Sequence, residues 1–150
     1  PVLVADPADL TGIVAELPDV ARALTEAFWP GALTVIVQAN PRVDWDLGQT
    51  GGTVALRMPA HEAVCELLGT VGPMAVTSAN LTGQPPATNV EEARGYFGGT
   101  VNCYVDSGPT KSAIPSTIID CAHGKATLLR EGAWALKDIA TVLGYQPTTR

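Results

Sequence analysis

The sequence has 150 residues, which suits one domain of ordinary size and leaves no room for a second with its own core. Hydrophobic residues make up 46%, enough to fill a core. Nine basic residues against fifteen acidic ones give a net charge of −6, which argues against gripping nucleic acid with a basic face. No apolar run approaches the ~18–20 residues that span a bilayer and no basic leader precedes the start, so a soluble, cytoplasmic protein with no membrane partner is expected.

In chain order, Val2 to Ala5 reads as a short buried strand. Asp6-Pro7 then has the form of a helix start, an N-cap followed by proline at the first helical position, and predicts a helix to about Leu17 broken near Gly12. A second helix starts at Pro18. Its Leu17, Val20, Ala21, Leu24, Ala27 and Phe28 recur at three- and four-residue steps, and Trp29-Pro30-Gly31 stops it. Leu33 to Val37 is a β-branched strand, and Gln38 to Gly52 is a loop. Thr53 to Met58 is a strand ending at Pro59, followed by a short helix over Ala60 to Leu68 and a buried strand over Met74 to Thr77. Ser78 to Ala87 has no apolar period and is a loop. Thr88 facing Glu91 predicts a capping box that opens a helix to Phe97, with Gly98-Gly99 as its stop. Strands are expected at Val101 to Asp106, Ser116 to Asp120 and Ala126 to Arg130, the last two around a turn at His123-Gly124. A closing helix runs from Ala135 to Leu143. This interleaving gives an α/β (α+β) domain, a twisted mixed sheet with helices packed on it, as a single domain.

Three cysteines, Cys65, Cys103 and Cys121, form no C-x-x-C pair and read as buried reduced thiols. His61 and His123 have no helical partner, so a metal site made of side chains is not expected. The 15 glycines and 12 prolines predict tight turns and close backbone approaches.

Four segments carry polar residues at strand ends, where open α/β sheets place ligands: 29–34, 53–59, 78–83 and 116–120. Their hydroxyls and amides, with backbone N–H groups exposed by glycine, suit phosphate and carboxylate oxygens. Arg57 is a lone charge in an apolar strand and calls for an anionic partner; Arg130, ending another strand, raises the same question. Plainer readings stand beside these. Ser78-Ala79-Asn80 is also a common turn, Arg57 could meet a structural carboxylate, Arg130 could be a surface residue beside Glu131, Trp29 could be a core residue at a helix stop, and Ser116 and Thr117 could lie on a solvated strand face. There is no P-loop, no G-x-G-x-x-G and no G-x-S-x-G elbow. The residues alone lead to a polar, anion-friendly cleft.

Five ordered motifs carry a resemblance. Phe28-Trp29-Pro30-Gly31-Ala32-Leu33-Thr34 resembles F-W-P-G-P-L-T, and Val54 to His61 resembles V-A-V-R-x-P-x-H. Pro73 to Gly83, with Ser78-Ala79-Asn80, resembles P-x-x-x-x-S-A-N-x-S-G; Ser116 to Asp120 resembles S-T-I/V-V/I-D, and Leu129 to Gly132 resembles L-R-x-G. Together they are similar to the YrdC/Sua5-type threonylcarbamoyl-AMP synthases over Pro1 to about Ala133.

The resemblance implies a nucleotidyltransferase that makes threonylcarbamoyl-AMP and pyrophosphate from L-threonine, bicarbonate and ATP, with Mg2+, for the t6A modification of tRNA. The partners implied are the tRNA-threonylcarbamoyl transferase complex proteins, with tRNA met only indirectly. By motif position, Ser78, Asn80, Pro86, Ser116 and Arg130 would lie on the ATP side, and Thr34, Arg57 and Thr77 on the L-threonine side. No side-chain nucleophile is implied. Two departures accompany it. The family's N-terminal K-x-R motif has no counterpart here, so residues 1–150 are expected to be an N-terminally incomplete YrdC-like domain; Lys111 and Lys125 are in the wrong places to replace that motif. Pro115 stands where the family usually has Glu. Two further readings are a non-catalytic module binding a nucleotide or double-stranded RNA, against which the net charge of −6 counts, and a carbamoyl-handling domain like that of hydrogenase-maturation proteins.

Overall fold

A computed structural model describes residues 1–110, 112 and 114–150; Lys111, weighed above as a cation, lies outside the described residues. In chain order the elements are β1 (Val2–Leu3), α1 (Asp19–Phe28), β2 (Leu33–Gln38), β3 (Thr53–Arg57), α2 (Glu62–Val71), β4 (Met74–Ala75), α3 (Val90–Phe97), β5 (Thr117–Asp120), β6 (Thr127–Arg130), α4 (Leu136–Leu143) and β7 (Thr148–Thr149). Within this chain the residues pack as two compact units, Pro1–Val76 with Pro115–Arg150, and Thr77–Ile114.

Among the described residues all seven strands belong to the first unit and form one sheet in the order β4-β1-β3-β2-β5-β6-β7. β1/β3, β2/β5 and β6/β7 pair parallel, while β1/β4, β2/β3 and β5/β6 pair antiparallel. The mixed sheet expected from the sequence is therefore present. β2 is at its centre, and Leu33, Thr34, Val35 and Val37 are all buried along it. A strand covered on both faces reads as a near-continuous apolar run, as this one does. α1 packs against β2 and α4 through the apolar stripe Ala21, Leu24 and Phe28. Fully burying a side chain such as Leu24 or Ile139 contributes roughly 1.5–3 kcal/mol.

Several segments differ from the sequence reading. The helix expected from Asp6 to Leu17 is one 3-10 turn, Pro7–Leu10. Asp6 caps it by accepting from the Ala8 N–H at 2.7 Å, but Gly12, at φ +91°, turns the chain out of helix. The strand at Met74 is short and solvent-exposed because it is the edge of the sheet, not its interior. β7, at the other edge, is a strand the two threonines did not announce. Of the cysteines only Cys121 is buried; Cys65 is half-buried and Cys103 exposed.

In the second unit, α3 starts one residue later than expected. Asn89, not Thr88, is the N-cap and accepts from the Glu92 N–H at 2.9 Å. Glu92, not Glu91, reaches back to the Thr88 N–H at 2.8 Å and the Thr88 hydroxyl at 3.1 Å. The strand expected over Val101 to Asp106 does not form. Val105 is 80% exposed there, and without a neighbouring strand an apolar run has no ladder to join.

Candidate functional site

Side-chain alternation splits the entry of β5 in two directions. Ser116 points toward β2, where its hydroxyl lies 2.9 Å from the Thr34 hydroxyl with both residues buried. Thr117 is fully buried and points the other way: its hydroxyl donates to the Trp134 carbonyl at 2.7 Å and accepts from the N–H groups of Gly132 at 3.1 Å and Trp134 at 2.9 Å. The plainer reading of Ser116 and Thr117 as a solvated strand face is thereby corrected. Thr34 and Ser116 meet because β2 and β5 pair in parallel, with Thr34 opposite Ile118.

Arg130 reaches the same place from β6. A bulge lets Ile118 face Arg130 while Ile119 faces Leu128, and such an extra residue re-aims the side chain that follows it. Its guanidinium donates to the Ser116 carbonyl from Nε at 3.0 Å and from Nη2 at 2.8 Å, and to the Ser116 hydroxyl at 3.1 Å. Gly132 permits this approach. A Cβ there would collide with the Pro115 carbonyl oxygen and lie 2.7 Å from that of Ser116. Pro115, the unusual residue before the serine, thus contributes through its carbonyl, which also accepts from the Ala133 N–H at 3.0 Å.

Arg57 ends β3 and donates from Nε to the Gly31 carbonyl at 2.9 Å. Gly31 in turn donates to the Met58 carbonyl at 2.8 Å, and a Cβ on it would collide with the Phe28 carbonyl, so the Trp29-Pro30-Gly31 stop is also an arginine support. Burial and then the charge of Arg130 lower the Arg57 pKa from its ordinary value. Among the described residues no carboxylate bonds either guanidinium; the Glu131 carboxylate instead accepts from the Leu136 N–H at 3.1 Å. Two neighbouring cations with no carboxylate bonded to either among the described residues, beside two hydroxyls, are groups that could receive an anion.

The first unit thus brings together Thr34, Arg57, Ser116 and Arg130. The other four predicted residues, Thr77, Ser78, Asn80 and Pro86, belong to the second unit. There, 78–87 is a loop closed by the Ala87 N–H donating to the Ala79 carbonyl at 2.9 Å, and Thr77, Ser78 and Pro86 are exposed. Asn80 is half-buried: its Nδ2 donates to the Leu81 carbonyl at 2.9 Å, while its Oδ1 is buried with no partner among the described residues. Such an acceptor is costly unless something donates to it. A cavity of about 710 Å³ lies elsewhere in the first unit, against Leu10, Val14, Arg22, Glu26, Trp29 and Met58, and none of the eight predicted residues lines it. Among the described residues no group of three or more His, Cys, Asp or Glu could hold a metal ion. Sequence reasoning missed Thr117, Gly132 and Gly31 as supports; their signal was their place inside the motifs around Ser116, Arg130 and Thr34.

The family described as telomere recombination, Sua5/YciO/YrdC, matches residues 1–132. The chain belongs to this family. A Mycobacterium leprae member, provisionally named a threonylcarbamoyl-AMP synthase, is 48% identical over 140 residues, covering 93% of this chain and 64% of its own. A Bacillus subtilis member named threonylcarbamoyl-AMP synthase is 37% identical over 147 residues, covering 94% of this chain and 41% of its own. The crystal structure of Pyrococcus abyssi Sua5 complexed with L-threonine matches with a TM-score of 0.91 at 33% identity, over 99% of this chain and 44% of that one. The chain thus spans less than two thirds of each of these relatives. The Sua5/YciO/YrdC fold, a mixed seven-stranded sheet with helices, is the one described above.

Proposed function

We propose that this protein makes threonylcarbamoyl-AMP. The amine of L-threonine takes up bicarbonate and loses water to give a carbamate. A carbamate oxygen attacks the α-phosphorus of ATP, the bond to the bridging oxygen breaks, and pyrophosphate leaves with Mg2+. The metal enters as part of the nucleotide substrate, since Mg2+ prefers phosphate oxygens and water to an all-protein cage. The chain has little covalent work to do; it positions the reactants and offsets charge on the phosphoryl oxygens.

The single observation that carries this reading is the pair of guanidiniums, Arg57 and Arg130, bonded by no carboxylate among the described residues, beside the Thr34–Ser116 hydroxyl pair. In it, Arg57 keeps Nε on Gly31 and offers its terminal nitrogens to the threonine carboxylate, while Ser116 and Arg130 take phosphate oxygens. Within the first unit Thr34 is assigned to threonine; for the second unit, taken by itself, motif position alone assigns Thr77 to threonine, Ser78 and Asn80 to the phosphates, and Pro86 to the adenosine. The unpartnered Asn80 Oδ1 supports a ligand donor there. The names carried by the relatives and the threonine in the Pyrococcus structure support the substrate class. The product would pass to a transferase complex that meets the tRNA, in keeping with a net charge of −6. The test is pyrophosphate release by the purified protein from ATP. Release should require both L-threonine and bicarbonate and fall at least about 100-fold in Arg57→Ala, some 2.7 kcal/mol of transition-state stabilisation. ATP binding with no threonine-dependent release would overturn the enzyme reading in favour of a nucleotide-binding module.

A further inference from the structure

The Thr117 hydroxyl bonds neither guanidinium among the described residues, and every hydrogen-bonding capacity it has is used. A threonine hydroxyl has one donor and two acceptor positions. Here the donor goes to the Trp134 carbonyl at 2.7 Å, and the acceptors take the Gly132 and Trp134 N–H groups at 3.1 and 2.9 Å. The side chain is wholly buried, so none of these bonds has water as an alternative. All three partners lie on the turn immediately after Arg130, and the same turn is held at its middle by the Ala133 N–H on the Pro115 carbonyl at 3.0 Å. Its far end is anchored by the Trp134 ring, whose centroid is 4.6 Å from that of Phe28. The chain next to Thr117 carries the other half of the latch, the Ser116 carbonyl and hydroxyl that receive Arg130.

We propose that Thr117 is the positioning residue of the anion receptor: by fixing the 130–134 turn to the start of β5, it sets Arg130 and the Ser116 hydroxyl in register for phosphate oxygens. This rests on the reading that Ser116 and Arg130 face the nucleotide. Hydrogen bonds of this kind hold a binding group to within the fraction of an ångström that tight recognition needs. Valine has the shape of threonine and none of its three bonds; serine has all three and lacks only a methyl group.

The test is calorimetric titration of the protein with MgATP and, separately, with L-threonine. Thr117→Val should weaken MgATP about tenfold, equivalent to 1.4 kcal/mol, and leave L-threonine within about twofold. Thr117→Ser should restore MgATP to within about threefold of wild type. A Thr117→Val protein that binds MgATP like wild type, or one that loses both ligands equally, overturns the proposal, as does a Thr117→Ser protein no better than the valine variant. Because the readout is binding, wild type that binds MgATP but releases no pyrophosphate refutes the enzyme reading and leaves this test standing. Should the valine variant fail to fold, 5-fluorotryptophan in the wild-type protein decides. Adding MgATP should shift the Trp134 resonance, assigned through Trp134→Phe, and leave that of Trp45 in place; an unshifted Trp134 overturns the proposal.

Discussion

Arg57 commits Nε to the Gly31 carbonyl at 2.9 Å, and its two terminal nitrogens, on a rigid fork, make no hydrogen bond among the described residues; in the proposed function they meet the threonine carboxylate. Lysine would supply one point charge and could not hold the Gly31 carbonyl and a carboxylate in the same plane. Arg57→Lys should therefore raise KM for L-threonine at least about tenfold, a loss of 1.4 kcal/mol, while the thermal midpoint stays near wild type. Steady-state kinetics beside a melting curve checks this, and an unchanged KM would remove Arg57 from the threonine site. The cysteines give a second prediction at this scale. Burial, with Asp120 adding to it, pushes the Cys121 thiol up to about 12, whereas Cys103 is exposed. Thiolate is the reactive form, so a disulfide exchange reagent at pH 8 should label Cys103 in the native protein and reach Cys121 only after unfolding. The linkage has a definite sign. The folded state keeps the Cys121 proton after the unfolded chain, with its ordinary value of 9.0, begins to lose it. This thiol's contribution to stability is therefore complete below pH 9 and is lost as pH rises toward 12. Denaturation midpoints of wild type and Cys121→Ala should converge with increasing pH over that window.

Among the elements, α3 shows how far local chemistry can be read from sequence. Both Thr88 and Asn89 are good caps, and both Glu91 and Glu92 sit in the first turn, so spacing alone gives two registers that differ by one residue. The structure takes the Asn89/Glu92 register because Glu92 then accepts from the Thr88 N–H and hydroxyl and from the Asn89 amide at 3.0 Å. These bonds, the Thr88 backbone first, hold the Glu92 carboxyl below the usual carboxylate range. Glu92→Gln should therefore speed amide exchange throughout Val90–Phe97, and Glu91→Gln should not. The sign for pH is opposite to that of Cys121. The cap is intact above the ordinary value of 4.5 and weakens as pH falls below it, so wild type should approach the glutamine variant under acid. Equal effects of the two variants would restore the Thr88/Glu91 register. Elsewhere the legible elements were those with strong period and length, β2, α1 and α4. The edge strands β4 and β7, two residues each, were misread or missed because a two-residue strand has no period to detect. The 3-10 turn at Pro7 was overextended because a cap announces where a helix starts and says nothing of its length.

At the scale of the whole molecule, the motifs pointed to Thr34, Arg57, Ser116 and Arg130, which the first unit gathers, and what they did not spell out was the supports that have no chemistry of their own. Gly132 and Gly31 act by lacking a Cβ, and Thr117 by bonds to backbone atoms fifteen and seventeen residues away; all three stand inside the motifs, but neither role has a local pattern that would announce it. The same site sets a stability problem for the fold. Arg57 is half-buried, its charge opposed by desolvation and by Arg130, with no carboxylate among the described residues to offset either. Natural proteins accept such local cost where a ligand removes it. An anion bound at this pair of neighbouring guanidiniums, whose charges act on each other, should then stabilise the fold well beyond what general salt does. A ligand at 100 times its Kd adds about 2.7 kcal/mol, which for a chain of this size raises the thermal midpoint by several degrees. MgATP should therefore raise the midpoint of wild type and fail to raise that of the Arg57→Gln, Arg130→Gln double variant, whose own unliganded midpoint should lie close to wild type because removing two like charges offsets the lost Gly31 and Ser116 bonds. Scanning calorimetry with MgATP, and with sodium chloride at matched ionic strength, separates the cases. An equal rise with chloride, or an equal rise in the double variant, would show that the two arginines do not form an anion site.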